Sequence, residues 1–380
     1  MKYYKVMLLA ALIMALVIMP LGSLLFLLNT GAVHLTGLMV AVFISLIILI
    51  VYINERLNGK RTAVLIVLCL SVGFSFAVPH YYKESFAKVD DAEVDLYAYQ
   101  PFTESDQLAK LEQPSSFTIE GELPTLDGAT ALYPLFAAFT QATYPEGEDE
   151  YNPYSGPVAT TKTPSAYSRL IKGNADVIFA AAPSAGQQKA AEEAGVELHL
   201  TPIGREAFVF FVNARNRVDD LSSEELRQIY SGDVTNWQEV GGGNDEIRAF
   251  QRPEDSGSQT TFINFMDGMP IQQPETEELV SGMGGIIEEV ASYRNYKNAI
   301  GYTFRFYSME MVRNDKVKLL AIDGVEPTID TIRSGAYPLT SEFYAITAGS
   351  ENPNVAPFIE WIVSEEGQQL VEKTGFVPVQ

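Results

Sequence analysis

From Ser115 onward the chain alternates short β-rich runs with stretches of helical periodicity, and this alternation confines it to a layered α/β architecture. The pattern predicts strands over Phe117–Ile119, Asp176–Ala180, Phe208–Asn213, Ile247–Phe250, Ile300–Phe304, Val317–Ile322 and Tyr344–Thr347. It predicts helices over Leu132–Thr140, Ala166–Lys172, Gln187–Ala194, Ser223–Tyr230, Gln259–Met266, Ile286–Ser292, Val355–Val363 and Glu365–Lys373. Roughly 265 residues suffice for one large or two medium lobes. The single cysteine, Cys69, lies upstream, so this part has no internal disulfide and must be stabilised by its core.

Within the α/β part, the run from Arg252 to Thr260 sets a permanent cation beside hydroxyls and free backbone amides. Ser256 and Ser258 flank Gly257 just before the apolar pattern of Phe262, Phe265 and Met266, which places them at a helix N-terminus. Such a terminus presents N–H groups and a positive partial charge, suited to a tetrahedral oxyanion. Two further segments repeat the chemistry. Gly128, Ala129, Thr130 and Ala131 precede one amphipathic helix, and Thr160 to Ser165 lead into another, with Pro164 in its first turn. Taken singly, each is an ordinary cap; together with Arg252 they point to one crevice at the carboxyl ends of the strands.

Composition narrows the function. The formal net charge is −22, which repels nucleic acid, so an anion must be held by local hydrogen bonds. His34, His80 and His199 are widely separated, and there is no HExxH and no cysteine cluster, so no metal site or cofactor is expected. The clustered Ser and Thr have no His partner, so an enzyme is not expected either.

Several segments taken in order resemble the PstS-like phosphate-binding proteins of ABC importers. They are Gly128–Phe136 (GATALYPLF), Thr161–Ser184, Leu226–Gly242, Gln251–Phe262 (QRPEDSGSQTTF), Asn298–Tyr307 and Gly375–Pro378. The resemblance implies a type II periplasmic-binding-protein fold, an α/β clamp of two lobes with a hinge. One lobe would comprise about 115–206 plus 339–380, and the other about 213–338. By motif it assigns phosphate contacts to Thr130, the amide of Ala131, Thr163, Arg252, Ser256, Gly257 and Ser258. Glu254 falls where the family often has an acid that pairs with the arginine. Some phosphate receptors carry an aspartate that accepts the proton of hydrogen phosphate; here the aligned residue is Ala181, and Glu206 is the candidate replacement acceptor. The implied function is capture of inorganic phosphate and delivery to an ABC permease. The alternatives are a membrane-tethered oxyanion sensor or assembly module, or a receptor for sulfate or molybdate. With no GxxxxGK[ST] loop, the ATPase and permease would be separate chains.

Upstream, apolar stretches at Met7–Leu28, Leu35–Tyr52 and Thr62–Val78 each approach the ~20 residues that span a bilayer, which predicts three transmembrane helices and a lipid-embedded anchor over 1–79. Lys2 and Lys5, with Arg56, Lys60 and Arg61, set the amino terminus in the cytoplasm and the binding domain, 115–380, outside the cell membrane. Residues 80–114 read as a linker that lifts the domain from the bilayer.

Overall fold

The structure is a computed structural model that describes residues 42, 44–50, 52–53, 58–71, 94–146, 151–273 and 298–379. The chain divides into two units, Met1–Lys88 and Val89–Gln380. In the first, no helix among the described residues is long and apolar enough to cross a membrane, which overturns the expected three-helix, multi-pass anchor. The third apolar stretch supplies the clearest reason. Its described helical residues, 59–71, cover about 20 Å at ~1.5 Å per residue, against a hydrocarbon core of about 30 Å; the rest of that stretch lies outside the described residues. The first stretch lies outside the described residues and the second is described only in part.

The second unit is built in the order β1 (Leu126–Gly128), α1 (Tyr133–Thr143), α2 (Thr163–Ile171), β2 (Val177–Ala180), α3 (Ala185–Ala194), β3 (His199–Asn213), β4 (Asp220–Leu221), α4 (Ser223–Ser231), β5 (Arg248–Ala249), α5 (Gly257–Met266), β6 (Ala299–Phe304), β7 (Val317–Leu319), β8 (Ala321–Ile322), α6 (Ile329–Arg333), β9 (Thr340–Thr347), α7 (Val355–Ile362) and α8 (Glu365–Thr374). The main sheet runs β1-β2-β9-β3-β6-β5, with β7 also paired to β3. Strand β3 organises it. His199–Ala207 pair antiparallel with β9, and Phe208–Val212 continue antiparallel to β6. One strand thus serves two lobes. Around one half, α1, α7 and α8 pack Phe136, Phe139, Phe358, Trp361, Leu370 and Val371 into a core; around the other, α4, α5 and the 3-10 turn Trp237–Val240 pack Tyr230, Phe262, Met266 and Trp237 against Phe208 and Phe210.

Local chemistry explains most boundaries. Ser184 and Ser222 cap α3 and α4 with full capping boxes, and Gly195 and Gly232 end them in the left-handed region. The expected strand over Phe208–Asn213 is the buried half of a longer one, because His199, Pro202 and Gly204 mask the amino half in the sequence. The register shifts between Pro202 and Gly204, and a Cβ on Gly204 would lie 2.3 Å from the Phe343 ring, so only glycine fits beneath it. Phe117–Ile119 form no strand, Leu320 separates β7 from β8, and the expected helix over Ile286–Ser292 lies outside the described residues.

The described half of the expected linker is not extended. Leu96–Tyr99 form a 3-10 turn capped by the Asp95 carboxylate, which accepts from the Tyr97 N–H. Leu96, Tyr99 and Leu108 are buried in the core around α1, and the Phe102 N–H donates to Gln141 Oε1 at 2.6 Å. Tyr97 meets Tyr154 edge to face. Apolar residues spaced for a 3-10 turn and a loop carry no sustained period, so the sequence hid this packing.

Candidate functional site

A cavity of about 460 Å³ lies between the two halves of the second unit. Its first wall begins at β1. Gly128 ends that strand so close to β2 that a Cβ would lie 2.4 Å from the Phe179 carbonyl oxygen. The Ala129 N–H then donates to that oxygen at 2.8 Å, and the 3-10 turn Thr130–Leu132 leads into α1. The second loop is stitched to the first by a buried acid. Asp127 accepts from the Gly128 N–H at 2.7 Å, from the Thr161 N–H at 2.7 Å, from the Thr161 hydroxyl at 2.8 Å and from Arg169 Nη1 at 2.7 Å. The Thr160 hydroxyl donates to the Gly128 carbonyl at 2.9 Å. Held this way, Lys162 adopts φ 71° and Thr163 opens α2 as its first residue, one position inside the helix rather than before it.

The opposite wall comes from the loop before α5. The Arg252 N–H is shared between Gln259 Oε1 at 3.0 Å and the Tyr302 hydroxyl at 3.2 Å, and Tyr302 itself donates to Gln259. The Tyr302 ring stacks on Phe262 at 4.5 Å. Arg252 is 7% exposed, and burial lowers its pKa to about 10, which leaves the guanidinium charged at neutral pH. Ser256 caps α5 by accepting from the Gln259 N–H. Ser258 is 2% exposed, and its hydroxyl meets no hydrogen-bond partner among the described residues. A buried hydroxyl left in that state is stabilised by any acceptor that enters.

These walls nearly touch. A Cβ on Gly257 would lie 3.4 Å from Thr163 Oγ1 and 3.6 Å from Ala181 Cβ. Beside them Asp255, at φ 64°, bridges to the start of α3: Ser184 donates to its carboxylate at 2.5 Å and Gln187 Nε2 to its carbonyl at 3.0 Å. A carboxylate at a helix start is favoured by the helix dipole.

Thr130, Ala131, Thr163, Arg252, Ser256, Gly257, Ser258 and Glu206 all line the cavity, as does Ala181. Glu254 does not; it is exposed on the outer side of the loop, and Asp255 is the acid that turns inward to bridge the halves. Glu206 sits where β3 passes from one half to the other. Its carboxylate is 4% exposed and accepts from the Ala207 N–H at 2.9 Å and the Phe306 N–H at 3.0 Å. Burial raises its pKa to about 7, against the lowering effect of those bonds and of Arg305. Other lining residues, among them Tyr154, Val94 and Leu96, carry no motif that sequence reading could have used, whereas Tyr307 closes the Asn298–Tyr307 segment of the resemblance. Asp127 had one usable signal, an acid immediately before the strand-ending glycine, but its partners lie 34 and 42 positions away.

The arrangement presents three helix starts, hydroxyl and amide donors and a buried cation to one space, chemistry suited to an oxyanion. Residues 118–366 match the PBP superfamily domain. The chain is 29% identical over 258 residues to the phosphate-binding protein PstS of Bacillus subtilis (strain 168), covering 67% of this chain and 80% of that protein. In fold it is similar to a candidate phosphate ABC-transporter substrate-binding protein from Clostridium perfringens solved with bound phosphate, with TM-score 0.53 and 23% identity over 68% of this chain and 100% of that one. An ABC-type phosphate transport receptor from Vibrio cholerae gives TM-score 0.50 and 20% identity, over 67% of this chain and 99% of that one.

Proposed function

Given that this chain belongs to the PBP superfamily, we propose that it captures inorganic phosphate between its two lobes and delivers it to an ABC permease. The observation that carries this reading is the convergence of three helix starts and Arg252 on one cavity whose Ser258 hydroxyl has no partner among the described residues. Thr130, the Ala131 amide and Thr163 grip the anion from the first lobe. Arg252, Ser256, Gly257 and Ser258 grip it from the second, and a ligand held by both favours the closed clamp that a permease reads. The relatives named for phosphate binding support the choice of ligand. Calorimetric titration of the purified protein with phosphate, sulfate and molybdate tests it; no heat of binding with phosphate would overturn it.

Asp255 holds the clamp shut from the side. Asp255→Ala should speed phosphate release by about tenfold or more, since a hydrogen bond to a charged group contributes roughly 1.5–3 kcal/mol. Stopped-flow displacement reads that rate directly, and an unchanged rate removes Asp255 from the closing contacts.

Ala181 offers no acceptor for the proton of hydrogen phosphate, which favours a role for Glu206 in selectivity. Above a pH of about 7 Glu206 is ionised. An ionised carboxylate facing the anion accepts a proton from hydrogen phosphate but meets only lone pairs on sulfate. Sulfate affinity should therefore fall as pH rises through that value more steeply than phosphate affinity, and Glu206→Gln should remove the difference. The same group governs stability. Its folded pKa lies above the ordinary value of 4.5, so the folded state holds the extra proton between 4.5 and about 7, and stability falls as pH rises across that window. Glu206→Gln should flatten the slope, by up to about 3 kcal/mol in urea unfolding.

A further inference from the structure

The cavity is larger than the anion its polar walls can hold. Inorganic phosphate is a single tetrahedron, whereas the cavity measures about 460 Å³, within the ~300–1,000 Å³ typical of sites that bury drug-sized molecules. This room persists although the lobes are already joined through Asp255 to Ser184 and Gln187. The remaining wall is apolar, formed by Val94, Leu96, Phe304, Phe343 and Phe376. It is also firm: Leu96, Phe343 and Phe376 are buried, and the Phe343 and Phe376 rings pack 4.9 Å apart. Val94 and Leu96 lie outside the residues that match the family domain, 118–366. Tyr154, 48% exposed, also stands on the cavity wall.

We propose that the site also takes phosphate monoesters of small apolar alcohols or phenols, with the organic group against Val94, Leu96, Phe304, Phe343 and Phe376. The inference rests on the phosphate reading of the same site. A monoester keeps three terminal oxygens for the helix starts and Arg252, and its bridging oxygen, at the remaining vertex, directs the carbon away from them. An apolar wall rewards that carbon and gives nothing to water.

Calorimetry on the full chain, with phosphate, phenyl phosphate and phenyl phosphate in competition with phosphate, tests this. The expected result is that phenyl phosphate displaces phosphate with an affinity within about tenfold of it, and that Val94→Trp lowers the ratio of phenyl phosphate to phosphate affinity by about tenfold or more. Phosphate binding with phenyl phosphate weaker than that limit overturns the inference and leaves the receptor reading standing. An unchanged ratio in V94W overturns the placement of the organic group, and no binding of either compound overturns both readings.

Discussion

Replacing Arg252 with alanine is expected to weaken phosphate binding by about two to three orders of magnitude, because truncating one member of a buried, hydrogen-bonded charge pair loses roughly 2–5 kcal/mol. Arg252 is the buried cation of the cavity wall; Lys162, which also lines it, is exposed. Without the guanidinium, a dianion would be desolvated against hydroxyls and helix starts alone. The backbone of the loop should survive, since the Arg252 N–H is held by Gln259 and Tyr302 whatever the side chain. Arg252→Lys should recover part of the affinity but not the bidentate geometry of the guanidinium. Ser256→Ala combined with Ser258→Ala should reduce binding through the other half of the same grip. Calorimetric affinity within a few-fold of the unmodified protein for R252A would remove this site from consideration.

The second large effect is expected at Asp127, and it concerns folding before binding. Its carboxylate is fully buried and receives donors from Gly128, Thr161 and Arg169. Asp127→Ala would strand the Arg169 guanidinium and the Gly128 and Thr161 N–H groups near or below the surface, a change that typically destabilises by about 3–5 kcal/mol. For a unit of this size that corresponds to a fall in Tm of roughly 10 °C. Asp127→Asn keeps acceptor capacity toward the N–H groups but loses the charge opposite Arg169, so it should fall between. Because the same carboxylate spaces the Thr130 and Thr163 loops, both variants should bind phosphate less tightly even at temperatures where they are folded. Urea denaturation and titration on the same samples separate the two effects; a D127A protein as stable as the original would mean that the brace contributes nothing.

Much of this was legible in the sequence. Helix starts carry local signals, so α3, α4, α5, α7 and α8 fall close to where Ser, Pro and Gly place them, and the hydroxyl-rich starts identify the cavity wall. Glu254 shows the limit of motif transfer: a residue's distance along the chain from Arg252 does not decide which way it faces, and the left-handed turn at Asp255 reverses the loop. The apolar stretches upstream of residue 80 satisfied a hydropathy criterion, yet among the described residues no helix has the required length, since a run of apolar residues fixes polarity but not how far one helix continues. Long-range polar contacts were invisible for a simpler reason. Asp127 with Arg169 and Asp255 with Ser184 are pairings made by the tertiary fold, and nothing local to either partner announces the other.

The position of β9 has a consequence for how the molecule is made. It lies between β2 and β3 in the sheet, though it follows β3 by more than a hundred residues of chain. While the intervening segment is being synthesised, β2 and the amino half of β3 must wait with unpaired edges flanked by apolar residues such as Val177, Ile178 and Phe179. Non-local pairing of this kind is slow, and waiting edges are templates for aggregation. A chain cut short before Thr340 should therefore accumulate as an insoluble product and not as a weakened receptor, and a nascent chain should depend on chaperones until that strand has docked.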